Sequence, residues 1–123
     1  MKNNYVFTYG TLLKGERNHH LINDNDYVCD ASVSGFEMFN LGRYPGIYHG
    51  DGIVNGEIYL VDDKTLKKLD ELEEEGSLYI REEVIAKSDN QEYKVYIYVY
   101  NLEVANPEYI GNSPYSWKNR KYV

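Results

Sequence analysis

The chain has 123 residues, which is enough for one domain with a single core, spanning residues 1–123, and too few for two. Its formal net charge of −7 argues against a nucleic-acid or membrane partner, because phosphate binding requires a concentrated basic face. No run approaches the roughly 20 apolar residues of a membrane span, and the residues at the N-terminus lead us to expect no signal peptide. The single cysteine, Cys29, excludes an internal disulfide and is typical of a reducing compartment. We therefore expect a cytoplasmic protein.

The first half of the chain contains mostly strand and turn patterns. β-Branched and aromatic residues predict strands over residues 5–9, 36–39 and 53–61, with a short helix over 19–23 and a loop over 42–46. Gly56 interrupts the third strand, which indicates either a bulge or a close approach of another backbone.

The second half predicts a β-hairpin over residues 82–87 and 92–100, turning at 88–90. Both faces of its second arm are largely apolar, as in a sheet that is covered on both sides. From residue 101 onward the chain is polar and is predicted to wrap the body. Strands dominate with one good helix between them, so we predict an α+β fold built on a small mixed or antiparallel β-barrel with flanking helices.

The helix is predicted over residues 63–75, with an Asp62 or Asp63 N-cap and Gly76 as its C-terminal stop. At about 100° per residue, three leucines define one buried arc, namely Leu66, Leu69 and Leu72. Most acids of the helix lie at the edge of this arc or outside it. Glu73 falls between Leu66 and Leu69, so it is the one acid directed toward the core.

An ionised carboxylate in apolar surroundings is costly unless it has a partner or a purpose. Desolvation would raise the pKa of Glu73 from about 4.3, toward values at which a carboxyl group both takes and returns a proton near neutral pH. Two other interpretations stay open. The last helical turn could fray and expose Glu73 to water, or Glu73 could form a structural ion pair with Arg81.

The first strand ends in the turn Tyr9-Gly10-Thr11-Leu12. Gly10 permits a sharp reversal after which successive N–H groups are available to a carboxylate or a developing oxyanion. Most strand–glycine turns are only turns, so this pattern alone is weak.

The turn, followed by Gly15 and Asn18-His19, resembles the N-terminal signature of the gamma-glutamylcyclotransferase-like superfamily. The chain is most similar to the branch of gamma-glutamylamine cyclotransferase and small bacterial relatives. The match continues in family order through residues 42–46, 54–59, 69–73 and 78–81. It departs at Leu13, where a basic residue is common, and at 113–117, which lacks a Gly-Asp-Trp.

The resemblance implies a compact β-barrel with a cavity at one end. In it the Tyr9-Gly10-Thr11-Leu12 turn holds a γ-glutamyl or 5-oxoproline group, and one Glu is the general acid/base. Alignment through Leu69-Asp70 and Tyr79-x-Arg81 places that role on Glu73, the residue that the helical phase selects independently.

Three tyrosines are further candidates for the cavity. Tyr79 could contact the substrate or Glu73 through its hydroxyl, and Tyr44 and Tyr115 could line the same cavity, although buried structural tyrosines are at least as common. The resemblance implies neither a metal nor an organic cofactor, and the three histidines have no metal-ligand spacing.

The first hypothesis is therefore an enzyme, of acyltransferase or lyase type, that converts a γ-glutamyl amine or peptide to 5-oxoproline and a free amine. An alternative is a non-catalytic module that binds a small carboxylate metabolite in the same cavity. A third is a structural protein in which Glu73 is exposed or paired with Arg81 and no cavity lies beside it. The sequence leaves a homodimer open.

Overall fold

The computed structural model describes residues 2–120. Its elements, in chain order, are β1 (Lys2–Thr8), a 3-10 helix (His19–Leu21), β2 (Asp26–Asn40), β3 (Pro45–Asp62), α1 (Asp63–Leu72), β4 (Tyr79–Ser88), β5 (Gln91–Tyr100), β6 (Glu108–Tyr109) and a second 3-10 helix (Trp117–Asn119). The predicted α+β class is confirmed.

Five of the six strands pair in a closed circuit, in the order β3-β1-β5-β4-β2 and back to β3. The long hairpin β2–β3 and the hairpin β4–β5 are antiparallel, whereas β1 pairs with β5 in parallel. The short strand β6 adds to the end of β2 through Phe39 and Asn40. The closed order places the C-terminal end of β1 between β3 and β5, where the cavity described below lies.

Strand β5 contributes to two hydrophobic cores, one on each of its faces. Val95, Ile97 and Val99 pack with the core that includes Phe7 and Ile58. The alternating tyrosines of the opposite face pack against a second core, which contains the buried leucines of α1; they are Tyr96, Tyr98 and Tyr100. Period-2 alternation sends successive side chains to opposite faces, so two apolar faces require two cores. The predicted covering of both faces is confirmed.

The strands β2 and β3 are much longer than the sequence predicted. Residues 36–39 are only the end of β2, and residues 45–46, predicted as loop, begin β3. Pro45 is the first residue of β3 and pairs with Asn40, a position where a missing N–H is tolerated. Polar, half-exposed stretches such as Asp26–Ser34 show little hydrophobic alternation, which is why the pattern missed them.

Helix α1 ends earlier than predicted. Asp62 caps its start by accepting the Thr65 N–H at 2.7 Å, but the last helical residue is Leu72 and not Glu75. The Glu74 N–H donates to the Glu71 carbonyl and the Glu75 N–H to the Asp70 carbonyl, with Glu74 at φ 50°. These two bonds form a Schellman C-cap. Glu74 therefore occupies the left-handed position, and the predicted stop at Gly76 is wrong by two residues.

The C-terminal segment wraps the body as predicted. The Tyr115 N–H donates to the Ile53 carbonyl at 2.7 Å, and the Asn55 N–H donates to the Tyr115 carbonyl at 2.8 Å. Trp117 is 2% exposed, and its indole N–H donates to Glu16 Oε1 at 3.2 Å. The segment thus supplies core side chains as well as surface.

Position 56 requires glycine because another strand's backbone approaches it closely. This is the second of the two interpretations offered by the sequence. A methyl group at Gly56 would lie 2.1 Å from the Thr8 carbonyl oxygen and 2.7 Å from the Phe7 ring. We expect Gly56→Ala to lower the free energy of unfolding by about 1–3 kcal/mol or more through overpacking. Urea denaturation measures this loss.

Asn55→Ala is the matched control, because it places the same residue at an exposed neighbouring position. It should change the free energy of unfolding by less than about 0.5 kcal/mol. Equal effects of the two substitutions would contradict the close approach at Gly56.

Candidate active site

A cavity of about 240 Å³ opens where β1 ends, beside the C-terminal end of α1. Its walls come from the loop after β1, the start of β3, the end of α1 and strands β4 and β5. The lining residues are Phe7, Thr8, Tyr9, Gly10, Thr11, Leu12, Arg17, Asn18, Tyr44, Pro45, Leu72, Glu73, Glu74, Leu78, Tyr79 and Tyr98. The wall thus combines aromatic rings, a backbone turn and one carboxylate near the core.

Gly10 lets the turn after β1 pack directly against the start of β3. A methyl group at Gly10 would lie 2.6 Å from Pro45 Cγ, so the close contact itself requires glycine. The Pro45 carbonyl in turn accepts the Tyr79 hydroxyl at 2.7 Å. Further along the loop, the buried carboxylate of Glu57 accepts the Lys14 N–H at 3.1 Å. The turn is therefore fixed at both ends.

Asn18 and His19 hold the middle of the same loop. Asn18 Nδ2 donates to Thr11 Oγ1 at 2.9 Å, and the Asn18 N–H donates to the Thr11 carbonyl at 2.9 Å. His19 Nδ1 lies 2.9 Å from the Leu12 carbonyl oxygen, so this nitrogen carries the proton in that contact. These bonds use side-chain groups and carbonyls of the turn. Within residues 2–120, the N–H groups of Gly10, Thr11 and Leu12 have no acceptor.

The hydroxyls of two cavity tyrosines donate to backbone carbonyls. Tyr9 donates to the Tyr98 carbonyl at 2.6 Å and Tyr79 to the Pro45 carbonyl at 2.7 Å. Burial raises the pKa of both hydroxyls, and the Glu73 carboxylate raises each further. Both hydroxyls therefore stay protonated at neutral pH, and their hydrogen bonds hold the two rings in place in the cavity wall. Tyr79 makes no hydrogen bond to Glu73.

The Schellman cap places Glu73 at the C-cap position of α1, with φ −84° and ψ −2°. Its backbone keeps the helical phase, so the side chain follows the direction that the helical wheel indicates. The prediction that Leu72 belongs to the buried arc is wrong, because Leu72 is 38% exposed and forms part of the cavity wall. Leu66 and Leu69 are buried.

The Glu73 carboxylate has no hydrogen-bond or ion-pair partner among residues 2–120. Arg81, the predicted alternative partner, instead pairs with Asp70, its Nη1 lying 2.8 Å from Asp70 Oδ2. The Tyr98 hydroxyl donates to the other oxygen of Asp70 at 2.7 Å. The nearby cation is thus occupied, and the structural ion pair of Glu73 with Arg81 is not formed.

Desolvation raises the pKa of Glu73 to about 7, because protein atoms surround a carboxylate that has no compensating charge. At this value the protonated and ionised forms are both well populated near neutral pH. The group can therefore accept a proton from one neighbour and return it to another. Among the described residues, this is the arrangement in the cavity best suited to proton transfer.

The structure brings all six predicted site residues into the wall of this one cavity; they are Tyr9, Gly10, Thr11, Leu12, Glu73 and Tyr79. Tyr44 also lines it, whereas Tyr115 does not and packs against Gly52 instead.

Sequence reasoning missed the contributions of Arg17, Asn18 and Tyr98 to the wall. Asn18 appeared in the sequence only as part of the Asn18-His19 motif, to which no role was assigned. Tyr98 had no feature that set it apart from the other tyrosines of its strand. Asp70, which forms the ion pair with Arg81, was not predicted to have a role because it lies at the edge of the buried arc of the helix.

Two further properties concern only the part of the chain that the structure describes. Over residues 2–120, no three His, Cys, Asp or Glu side chains come together in a way that could hold a metal ion. Over the same range, no helix has the length and apolar character needed to span a membrane.

The raised pKa of Glu73 predicts a pH-dependent cost in stability. Folded Glu73 keeps its proton up to about pH 7, whereas the unfolded carboxyl releases it near 4.5, so the folded state loses stability as the pH rises through this window. Glutamine carries no such proton. We therefore expect the stability of Glu73→Gln relative to wild type, from urea denaturation, to increase between about pH 5 and about pH 8.

Glu71→Gln is the matched control, because Glu71 lies on the exposed side of α1 outside the cavity. Its effect should be the same at both pH values. A Glu73→Gln effect that does not depend on pH would contradict a desolvated carboxylate.

Comparison with known proteins places the chain and its fold in one family. The gamma-glutamyl cyclotransferase, AIG2-like family model matches residues 6–119. The gamma-glutamylcyclotransferase family protein YtfP of Escherichia coli K12 is 36% identical over 77 residues, which are 63% of this chain and 68% of the relative. The gamma-L-glutamyl-butirosin B gamma-glutamyl cyclotransferase of Niallia circulans is 32% identical over 120 residues, covering 92% of this chain and 74% of the relative.

Solved structures agree. The solution structure of Escherichia coli ytfP covers 86% of this chain and 90% of its own at 31% identity, with a TM-score of 0.66. The crystal structure of a mouse aig2-like protein covers 80% of this chain and 78% of its own at 26% identity, with a TM-score of 0.74. The chain belongs to the AIG2-like gamma-glutamyl cyclotransferase family.

Proposed function

We propose that the protein converts a γ-glutamyl amine or peptide to 5-oxoproline and a free amine, with Glu73 as general acid/base. One observation carries the proposal. The Glu73 carboxylate has no partner among the described residues, and burial raises its pKa to about 7. It lines the same cavity as the turn after β1, whose N–H groups have no acceptor within residues 2–120. Family membership supports this class of reaction. The relative from Niallia circulans carries the name of such an activity on another γ-glutamyl compound.

The backbone turn is assigned to substrate binding. The N–H groups of Gly10, Thr11 and Leu12 would donate to oxygens of the γ-glutamyl group, and the negative charge that develops on the attacked carbonyl oxygen would strengthen such bonds. Because Pro45, Glu57 and Asn18 already fix the loop, these donors would need little reorganisation during the reaction.

Glu73 is assigned to the two proton transfers. As the α-amine nitrogen forms a bond to the γ-carbonyl carbon, Glu73 takes a proton from that nitrogen. The bond between the same carbon and the departing nitrogen then breaks, and Glu73 gives its proton to the amine that leaves. The products are the five-membered lactam and a neutral amine, and Glu73 is ionised again.

Ring closure is intramolecular, so most of the advantage comes from holding the substrate curled. The rigid rings of Tyr9 and Tyr79 form walls suited to this task. No atom changes its oxidation state in the reaction, and the proposal assigns no cofactor to it. The cytoplasmic location expected from the sequence stays a prediction.

The proposal predicts that the purified protein forms 5-oxoproline from γ-glutamyl amines or γ-glutamyl dipeptides, as measured by chromatography. Glu73→Gln should lower kcat at least about 100-fold, because loss of general acid/base catalysis typically costs that much or more. Substrate binding, measured by calorimetry, should change much less.

Glu74→Gln is the matched control from the same end of α1, where Glu74 is exposed and at positive φ. It should retain most of the activity, and a larger loss in Glu74→Gln than in Glu73→Gln would contradict the assigned role. Folded protein that forms no 5-oxoproline from either substrate class contradicts the proposed activity. Thermal stabilisation by 5-oxoproline without any turnover would instead favour the non-catalytic binding module.

A further inference from the structure

A second cavity, of about 670 Å³, adjoins the first, and the two share Thr11 and Arg17 in their walls. The second wall also contains Arg43, whose chain neighbour Tyr44 lines the first cavity. A molecule too long for the first cavity therefore meets a wall that continues into the second.

The arginines of the second cavity differ in whether their guanidinium groups have partners within the protein. Arg120 Nη2 lies 2.9 Å from Glu16 Oε1, and its guanidinium stacks 4.5 Å from the centre of the Trp117 ring. Arg17 and Arg43 are exposed, and within residues 2–120 neither guanidinium has a hydrogen bond, a carboxylate or a ring as a partner.

The overall charge makes these two arginines notable. The chain has 20 acidic residues against 13 Lys and Arg, so unpaired cations are not the result of an excess of basic residues. A guanidinium presents a planar set of donors that matches a carboxylate through two parallel hydrogen bonds. The two free guanidinium groups in one cavity wall therefore favour an anionic ligand, and among organic anions a carboxylate fits their geometry.

The size of the first cavity indicates where such a ligand would come from. At about 240 Å³ it is smaller than the roughly 300–1,000 Å³ of pockets that hold drug-sized ligands. A γ-glutamyl group is on this scale, but the amine-bearing remainder of a γ-glutamyl compound must extend beyond it. The adjoining second cavity is the larger of the two.

We propose that the second cavity binds the part of the substrate that leaves as the amine, and that Arg17 and Arg43 pair with a carboxylate on that part. The inference rests on the proposed cyclotransferase function and names its substrate class. The substrates are γ-glutamyl amino acids or peptides with a free carboxylate, in preference to γ-glutamyl derivatives of neutral or cationic amines. The released product is then an amino acid or peptide.

Two carboxylates lie in the same wall; Glu16 pairs with Arg120, and the other opposes this ligand. Glu108 is exposed and, among the described residues, forms no ion pair. Its charge weakens the attraction of Arg17 and Arg43 for an anion without cancelling both. Removing the Glu108 charge should therefore strengthen the preference for an acidic leaving group. This effect is opposite in direction to the effect expected from removing an arginine.

The test compares γ-glutamylglycine with γ-glutamylglycinamide, which differ only in a carboxylate against a carboxamide. We expect wild-type kcat/KM to favour the acid about tenfold, on the scale of one charge-assisted hydrogen bond. Arg43→Gln should lower this ratio toward one, because only Arg17 then remains for the carboxylate, and Glu108→Gln should raise it. Lys118→Gln removes an exposed cation outside both cavity walls and should leave the ratio unchanged.

The outcomes separate this inference from the proposed function. If both substrates give 5-oxoproline with equal kcat/KM, or if Arg43→Gln leaves the wild-type ratio intact, the carboxylate site is overturned while the cyclotransferase activity stands. If neither substrate gives 5-oxoproline, the proposed function fails and this inference fails with it.

Discussion

The ion pair between Arg81 and Asp70 sets the electrostatics of the cavity. It pairs Arg81 with an acid of α1, and the Tyr98 hydroxyl donates to the other carboxylate oxygen of Asp70. Glu73 is therefore left with desolvation as the sole cause that shifts its pKa. Had Arg81 faced Glu73 instead, an opposite charge would have favoured the ionised form and kept the carboxylate a weak base. A structural ion pair one helical turn away thus makes a proton-transfer group available.

The elements that form the cavity wall around this carboxylate contact one another directly. Gly10 packs on Pro45, and the Pro45 carbonyl accepts the Tyr79 hydroxyl. The Tyr98 carbonyl accepts the Tyr9 hydroxyl in the same way. Each contact ties an element from one part of the chain to another, so the loop, β3, β4 and β5 hold a fixed shape. Such preorganisation is what an intramolecular ring closure requires of an enzyme.

Local sequence patterns predicted the parts of this protein that depend on local physics. Helical phase separated Glu73 from Glu74 and Glu75, and period-2 alternation predicted two covered faces for β5, because both follow from backbone geometry. The end of α1 was misplaced, since Glu74 takes the left-handed position that composition assigned to Gly76. The pairing of Arg81 was not predictable, because it depends on which of several acids the sheet brings within reach.

The central claim is that Glu73 is a desolvated carboxylate without a partner, and its direct measurement is a titration by nuclear magnetic resonance. Protein with ¹³C in its glutamate side chains, compared with Glu73→Gln, identifies the Glu73 carboxyl signal and follows its chemical shift with pH. The structure predicts a midpoint near 7. A midpoint near the ordinary glutamate value of 4.5 would show that water or a cation compensates the charge, and it would contradict the account.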